Sequence, residues 1–218
     1  MRTTSGRDRT SWRFDGEIAG IGTRTGPRIV IGRWFDSPLG AFADVMVEEP
    51  DGHRLLLAPD DAVAEFVAST YSFDEIVLGP VGVTEDDHHR QVRAPGLELE
   101  LGVGGRPPLG VLLRLQPRAV IGSPVWATLL DPIARVTLRG VRTRGSAGGG
   151  RAEFYGASDL HRVVSAGGAW RGADLGGLAP VDPPVRFGFG SAPRTPVLTR
   201  LVTTVVVRDA QSAQPNRA

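Results

Sequence analysis

In "LELELGV", Leu97, Leu99, Leu101 and Val103 alternate with Glu98 and Glu100. A period of two predicts a strand with one buried face and one wet face. Short β-branched or leucine-rich runs recur at "RIVIGRW" (28–34), "EIVLGPVGV" (75–83), "GVLLRLQ" (110–116) and "VLTRLVTTVVV" (197–207). Turn residues bound each of them, and all read as strands. One hairpin can be placed: "AFADVMVE" and "HRLLLAP" flank "EPDG" at 49–52. There Pro50 presets φ, Asp51 suits the next position, and Gly52 takes the left-handed one. On its first arm Asp44, Met46 and Glu48 share a face, and Ala43, Val45 and Val47 share the other.

Helical periodicity is scarce. "PDDAVAEFVASTY" predicts a helix near 59–70, with Pro59 at the first helical position and Asp60 and Asp61 at the positive end of the dipole. Val63, Phe66, Val67 and Thr70 form its stripe. "SPVWATLL" predicts a second, short helix capped by Ser123 and stopped by Pro132. Glycine (29) and proline (17) recur at turn spacing. The expected fold is therefore mainly β: a single antiparallel β-barrel or two-sheet sandwich with one or two short helices. Residues 13–208 read as one domain, with 1–12 and 209–218 as polar, aperiodic, disordered tails.

Composition removes several chemistries. There is no cysteine, which excludes disulfides, thiolate nucleophiles and cysteine-ligated metals. All 25 basic side chains are arginine, which excludes Schiff bases and the phosphate-loop lysine. A net charge of +1 gives no electrostatic case for nucleic acid or an anionic membrane. No apolar segment behind the first residues reads as a leader, and no run approaches membrane length, so a soluble, cytoplasmic protein is expected. "EDDHHRQ" places His88 and His89 on opposite faces of any strand, which disfavours a shared metal ion. No metal and no cofactor are expected.

The stretch that most resembles a site is "RTRGSAGGGRAEFYGASDLHRV", residues 142–163. Its glycines run into an alternating segment, not a helix, so neither a phosphate loop nor a dinucleotide fingerprint is present. Two readings stay open for its arginines. Arg142 and Arg144, on one side of an extended segment, and Arg151 beyond the loop could grip an anion. Alternatively, they are solvated arginines beside a loose loop at 145–150. Asp159 and His161, two residues apart, would share a strand face and could form half of an acid–base arrangement, with Tyr155 nearby. Ser146, Ser158 and Ser165 lie close, but none sits in a nucleophile elbow. The structural alternative is a turn-capping Asp159 and a half-buried His161.

Three segments, "GAFADVMVEEPDGHRLLLAP", "GVRTRGSAGGGRAEFYGASDLH" and "PPVRFGFGS", together resemble a set of β-rich proteins of GC-rich bacteria with no assigned activity. The resemblance covers most of residues 14–206 and brings no catalytic residues. Barrels of the acetoacetate decarboxylase type are similar in size and β content, but they depend on a Schiff-base lysine that this chain lacks. Two functional expectations follow. One is a barrel whose mouth or interior binds a small anionic or partly apolar molecule, without nucleic acid or membrane partners. The other is an enzyme on an anionic substrate, with Asp159 and His161 as acid–base groups and Arg142, Arg144, Arg151 and Tyr155 around them.

Overall fold

The computed structural model describes residues 9–115, 144–147, 151–188 and 192–208. Their elements are β1 (Arg9–Thr23), β2 (Arg28–Asp36), β3 (Phe42–Glu48), β4 (Arg54–Ala58), α1 (Asp61–Ala68), β5 (Glu75–Leu78), β6 (Gly82–Glu85), β7 (His89–Ala94) and β8 (Leu97–Val103). After these come α2 (Pro108–Arg114), β9 (Arg144–Ala147), β10 (Arg151–Trp170), β11 (Ala173–Asp174), β12 (Leu178–Ala179) and β13 (Val197–Arg208). The protein is mainly β, as its periodicity predicts. No helix among the described residues is long and apolar enough to cross a membrane.

One sheet runs β5-β4-β3-β2-β1-β13-β10-β8-β7-β6. Its two edge strands, β5 and β6, are consecutive in the chain and separated only by residues 79–81. A three-residue link spans about 14 Å at most, so the edges must approach and the sheet must curl into a half-barrel. Bulges assist the curl: the register slips between Asp15 and Gly16 in β1 and twice in β10, at Ala157/Asp159 and Val163/Ser165.

The concave side is filled by side chains. Ile21, Ile31, Val45 and Leu57 from one half meet Val92, Leu99, Leu101 and Trp170 from the other. An ion network bridges the same two halves: Arg90 of β7 reaches Glu17 of β1 at 3.1 Å, and Arg33 of β2 bonds both Glu17 and Glu85 of β6. Beside it only about 10 Å³ of space remains, room for about one water. Large branched side chains occupy the concave side at this point among the described residues.

The hairpin forms as predicted. β3 and β4 pair antiparallel, Gly52 has φ +94°, and Gly52 N donates to Glu49 O at 2.9 Å. Leu97, Leu99 and Leu101 are buried, and Glu98 and Glu100 are exposed. β4 and β5 run parallel, so a crossover must pass over one sheet face, and α1 supplies it. The helix is shorter than 59–70 and begins two residues later than predicted: Asp60 stands outside it as the cap and accepts from Val63 N at 2.9 Å. Val63, Ala64 and Val67 pack on Leu56, Met46 and Val30, so β2 to β4 are covered on both faces. This accounts for the unbroken apolar reading of "RIVI" and "LLLA".

Other expectations are corrected. "GVLLRLQ" is not a strand: 108–114 form α2, where Pro108 sits in the first turn and Gly110 and Leu113, three apart, face inward. Gly110 is needed there, since a Cβ would stand 2.3 Å from Leu160 O. The loop placed at 145–150 is narrower, because 144–147 pair with 151–154 as a hairpin. β1 begins at Arg9, inside the stretch read as a tail. "PPVRFGFGS", in which Phe187 and Phe189 would share a face of a strand, is not a strand where it is described: Phe187 is buried in the cluster under α1, and Phe189 lies outside the described residues. The helix expected from Ser123 falls outside them too.

Candidate functional site

Of the sequence-predicted site residues, Asp159 and His161 are brought together on β10. His161 Nε2 stands 3.6 Å from Asp159 Oδ2. His161 Nδ1 lies 3.0 Å from Gly104 O, and a carbonyl only accepts, so Nδ1 carries a hydrogen. Asp159, however, is already gripped. Arg106 donates from Nε and Nη2, both at 2.8 Å, and Leu160 N donates at 2.9 Å. Burial works to raise its pKa, but the Arg106 fork, the Leu160 N–H and the neighbouring imidazole outweigh it and hold the carboxyl below its usual value. Arg106, in a turn between β8 and α2, was not anticipated by sequence. Arg142 lies outside the described residues. For Arg144, Arg151 and Tyr155 the backbone positions are set: Arg144 pairs with Phe154, Arg151 with Ala147 and Val207, and Tyr155 with Thr203. Ser158 Oγ donates to Arg200 O, a structural role. His88 and His89 are exposed around Asp86, whose carboxylate accepts from both their backbone N–H groups. No group of acids and histidines among the described residues could hold a metal ion.

The most site-like feature lies elsewhere, on the convex face under α1. A cavity of about 50 Å³ is walled by β1, β2, β3 and β13 below and by α1 with the turn after it above. Alternation builds its floor: even-numbered residues of β2 and β3 point to this face, bringing Gly32, Trp34, Phe42 and Asp44 together. Gly32 and Asp44 are directly opposite in the register. A Cβ on Gly32 would stand 2.5 Å from Asp44 Oδ1 and 3.0 Å from Trp34 Nε1. That glycine is the reason the carboxyl can lie across β2 and accept from Trp34 Nε1 at 3.1 Å. Gly16 does the same for the Trp34 ring, which passes where its Cβ would be.

Aromatic rings line the cavity around this acid. Phe14 stacks on Phe66 of α1 with centroids 4.7 Å apart, meets Trp34 edge-on at 5.6 Å, and Trp34 leans on Phe42 at 6.2 Å. Asp44 is 4% exposed at the floor, whereas Phe66, Thr70 and Tyr71 are half-buried at the rim. Burial pushes the Asp44 pKa from 3.8 to about 7, eased only by the Trp34 hydrogen bond. Among the described residues, none lining the cavity is basic. Thr70 Oγ1 and Thr203 Oγ1 also line it, and both are buried without a hydrogen-bond partner. Buried polar atoms are nearly always paired, so three poorly satisfied polar groups converging in one apolar cavity depart from the norm.

Sequence reasoning placed Asp44 on a strand face but gave it no chemistry. Two acids and a methionine on one face do not say whether that face is buried. The usable signal was the opposite strand, where Gly32 interrupts "RIVIGRW" at the register position an acid would need.

No protein-family model matches the chain, and no curated protein matches it. Among solved structures it is similar to an acetoacetate decarboxylase from Legionella pneumophila, at 10% identity and a TM-score of 0.34, over 90% of this chain and 84% of that one. It is also similar to an AttH candidate from Nitrosomonas europaea, at 14% identity and a TM-score of 0.28, over 99% of this chain and 55% of that one. Neither likeness is close enough to carry a function across.

Proposed function

We propose that the protein is a small-molecule binder whose site is the aromatic cavity under α1, with Asp44 as its polar anchor. The observation that carries this reading is the carboxyl itself. A buried acid without a charged partner costs stability, and a fold that only needed a core would place an apolar residue there. Concave, apolar walls with a few converging polar groups are what small-molecule sites look like. The test is a fragment screen by ligand-observed NMR, on the wild type and on Thr70→Trp, which plugs the rim without enlarging the buried core. Fragments should bind the wild type, lose their signal in the variant, and leave its melting temperature within a few degrees. Equal binding to both proteins removes the site.

A second reading is favoured by one observation, the 3.6 Å approach of His161 to Asp159 beside Arg106. In it, the middle of β10 handles an anionic substrate, with Arg144, Arg151 and Tyr155 further along the same strand pair. A titration with phosphate or acetate, followed on the His161 imidazole by NMR, should shift that ring. An unmoved ring dismisses it.

A further inference from the structure

We propose that the cavity under α1 takes an alkyl- or arylammonium ion, with Asp44 as counter-ion and the rings of Phe14, Trp34, Phe42 and Phe66 as its wall. This rests on the small-molecule reading above and assigns the ligand's class.

Charge decides it first. Among the described residues the cavity is lined by one acid and by no arginine or histidine, so the formal charge they bring when ionised is negative. A carboxylate ligand would meet Asp44 with like charge in a desolvated space, which is strongly unfavourable. A cation supplies what the protein omits. The ring walls point the same way. Aromatic faces are electron-rich, and cages of such rings hold ammonium ions. Trp34 already donates its one N–H to Asp44 Oδ1, so its ring is fixed beside the acid.

Hydrogen-bonding capacity decides it second. Thr70 Oγ1 and Thr203 Oγ1 each offer acceptor lone pairs, and both are buried without a partner. Asp44 when ionised is acceptor-only. The described cavity therefore has unmet acceptors, and an ammonium group, with three N–H donors and no acceptor, complements them. The volume limits the remainder: about 50 Å³, a third of the ~150 Å³ that takes a benzene, holds the ammonium head and a carbon or two, so a longer alkyl chain must lie along the half-buried rim of Phe66, Thr70 and Tyr71.

The experiment compares n-butylammonium with its neutral isostere n-butanol by calorimetry at pH 8, on the wild type, Asp44→Asn and Thr70→Trp. The proposal expects n-butylammonium to bind the wild type at least tenfold more tightly than n-butanol. It expects Asp44→Asn to lose at least tenfold for the cation, so that the preference for n-butylammonium over n-butanol disappears in that variant. If both probes bind the wild type equally and Thr70→Trp abolishes both, the cavity is a site but the ammonium class is wrong. If neither probe binds, or Thr70→Trp leaves both unchanged, the proposal and the small-molecule reading fail together. The wild-type comparison stands by itself should either variant fail to fold.

Discussion

Asp44→Asn should stabilise the protein at pH 8 by up to about 4 kcal/mol, and by much less at pH 4. The unfolded chain releases this proton near 3.8 and the folded chain near 7. Between those values the folded state holds the proton that the unfolded state has lost. Stability therefore falls as pH rises through that window, and the loss is complete above 7. About three pH units at roughly 1.4 kcal/mol each give the figure. Asparagine keeps the shape and the acceptor for Trp34 Nε1 without the charge, so it escapes the penalty. Urea unfolding of both proteins across pH 4 to 8.5 is the check. Parallel stability curves would mean that the carboxyl is solvated or paired. A gain at high pH also fits a functional acid, since groups kept at a cost to the fold tend to serve binding.

Glu48→Ala should act in the opposite direction and cost about 3–5 kcal/mol at neutral pH. Glu48 is fully buried, and Arg28, only 4% exposed, forms an ion pair with it, Nη2 standing 3.1 Å from Oε1. Arg186 adds its backbone N–H at 2.6 Å and its Nε at 2.8 Å. Arg28 has little else: its Nη2 also reaches Glu49 O at 3.2 Å, and its Nε has no partner. Removing the carboxylate therefore strands a buried guanidinium and frees the 182–188 segment that walls the cluster beneath α1. Arg186→Ala should cost far less, because that side chain is 67% exposed and its ion pair is partly solvated. Chemical denaturation of the two variants separates these cases. A loss below about 1 kcal/mol for Glu48→Ala would show that water reaches Arg28.

Two acids on one strand face thus carry the largest effects, and their positions show where sequence was readable. Local periodicity was sufficient for β8, whose leucines and glutamates part cleanly, and for the β3–β4 turn, where Gly52 needs its positive φ. It failed at 110–116, where leucines on successive positions suit a strand or a buried helix turn, and Pro108 decided for α2. It failed more deeply at Asp44 and Glu48. Alternation along β3 marks which residues share a face, but not whether that face is wet. α1, which starts at Asp61, and residues 181–188, far along the chain, cover it. Asp159 and His161 were legible because a strand puts residues two apart side by side. Arg106, which claims Asp159, comes from 53 residues away and left no local trace.

The most direct test of the whole account is the titration of the Asp44 carboxyl carbon by NMR in the free protein, assigned by its loss in Asp44→Asn. A buried acid in an aromatic, cation-free cavity should titrate with a midpoint near 7. A midpoint near 4 would contradict the account, because the carboxyl would then be solvated or neutralised and the cavity would have no anchor left to offer.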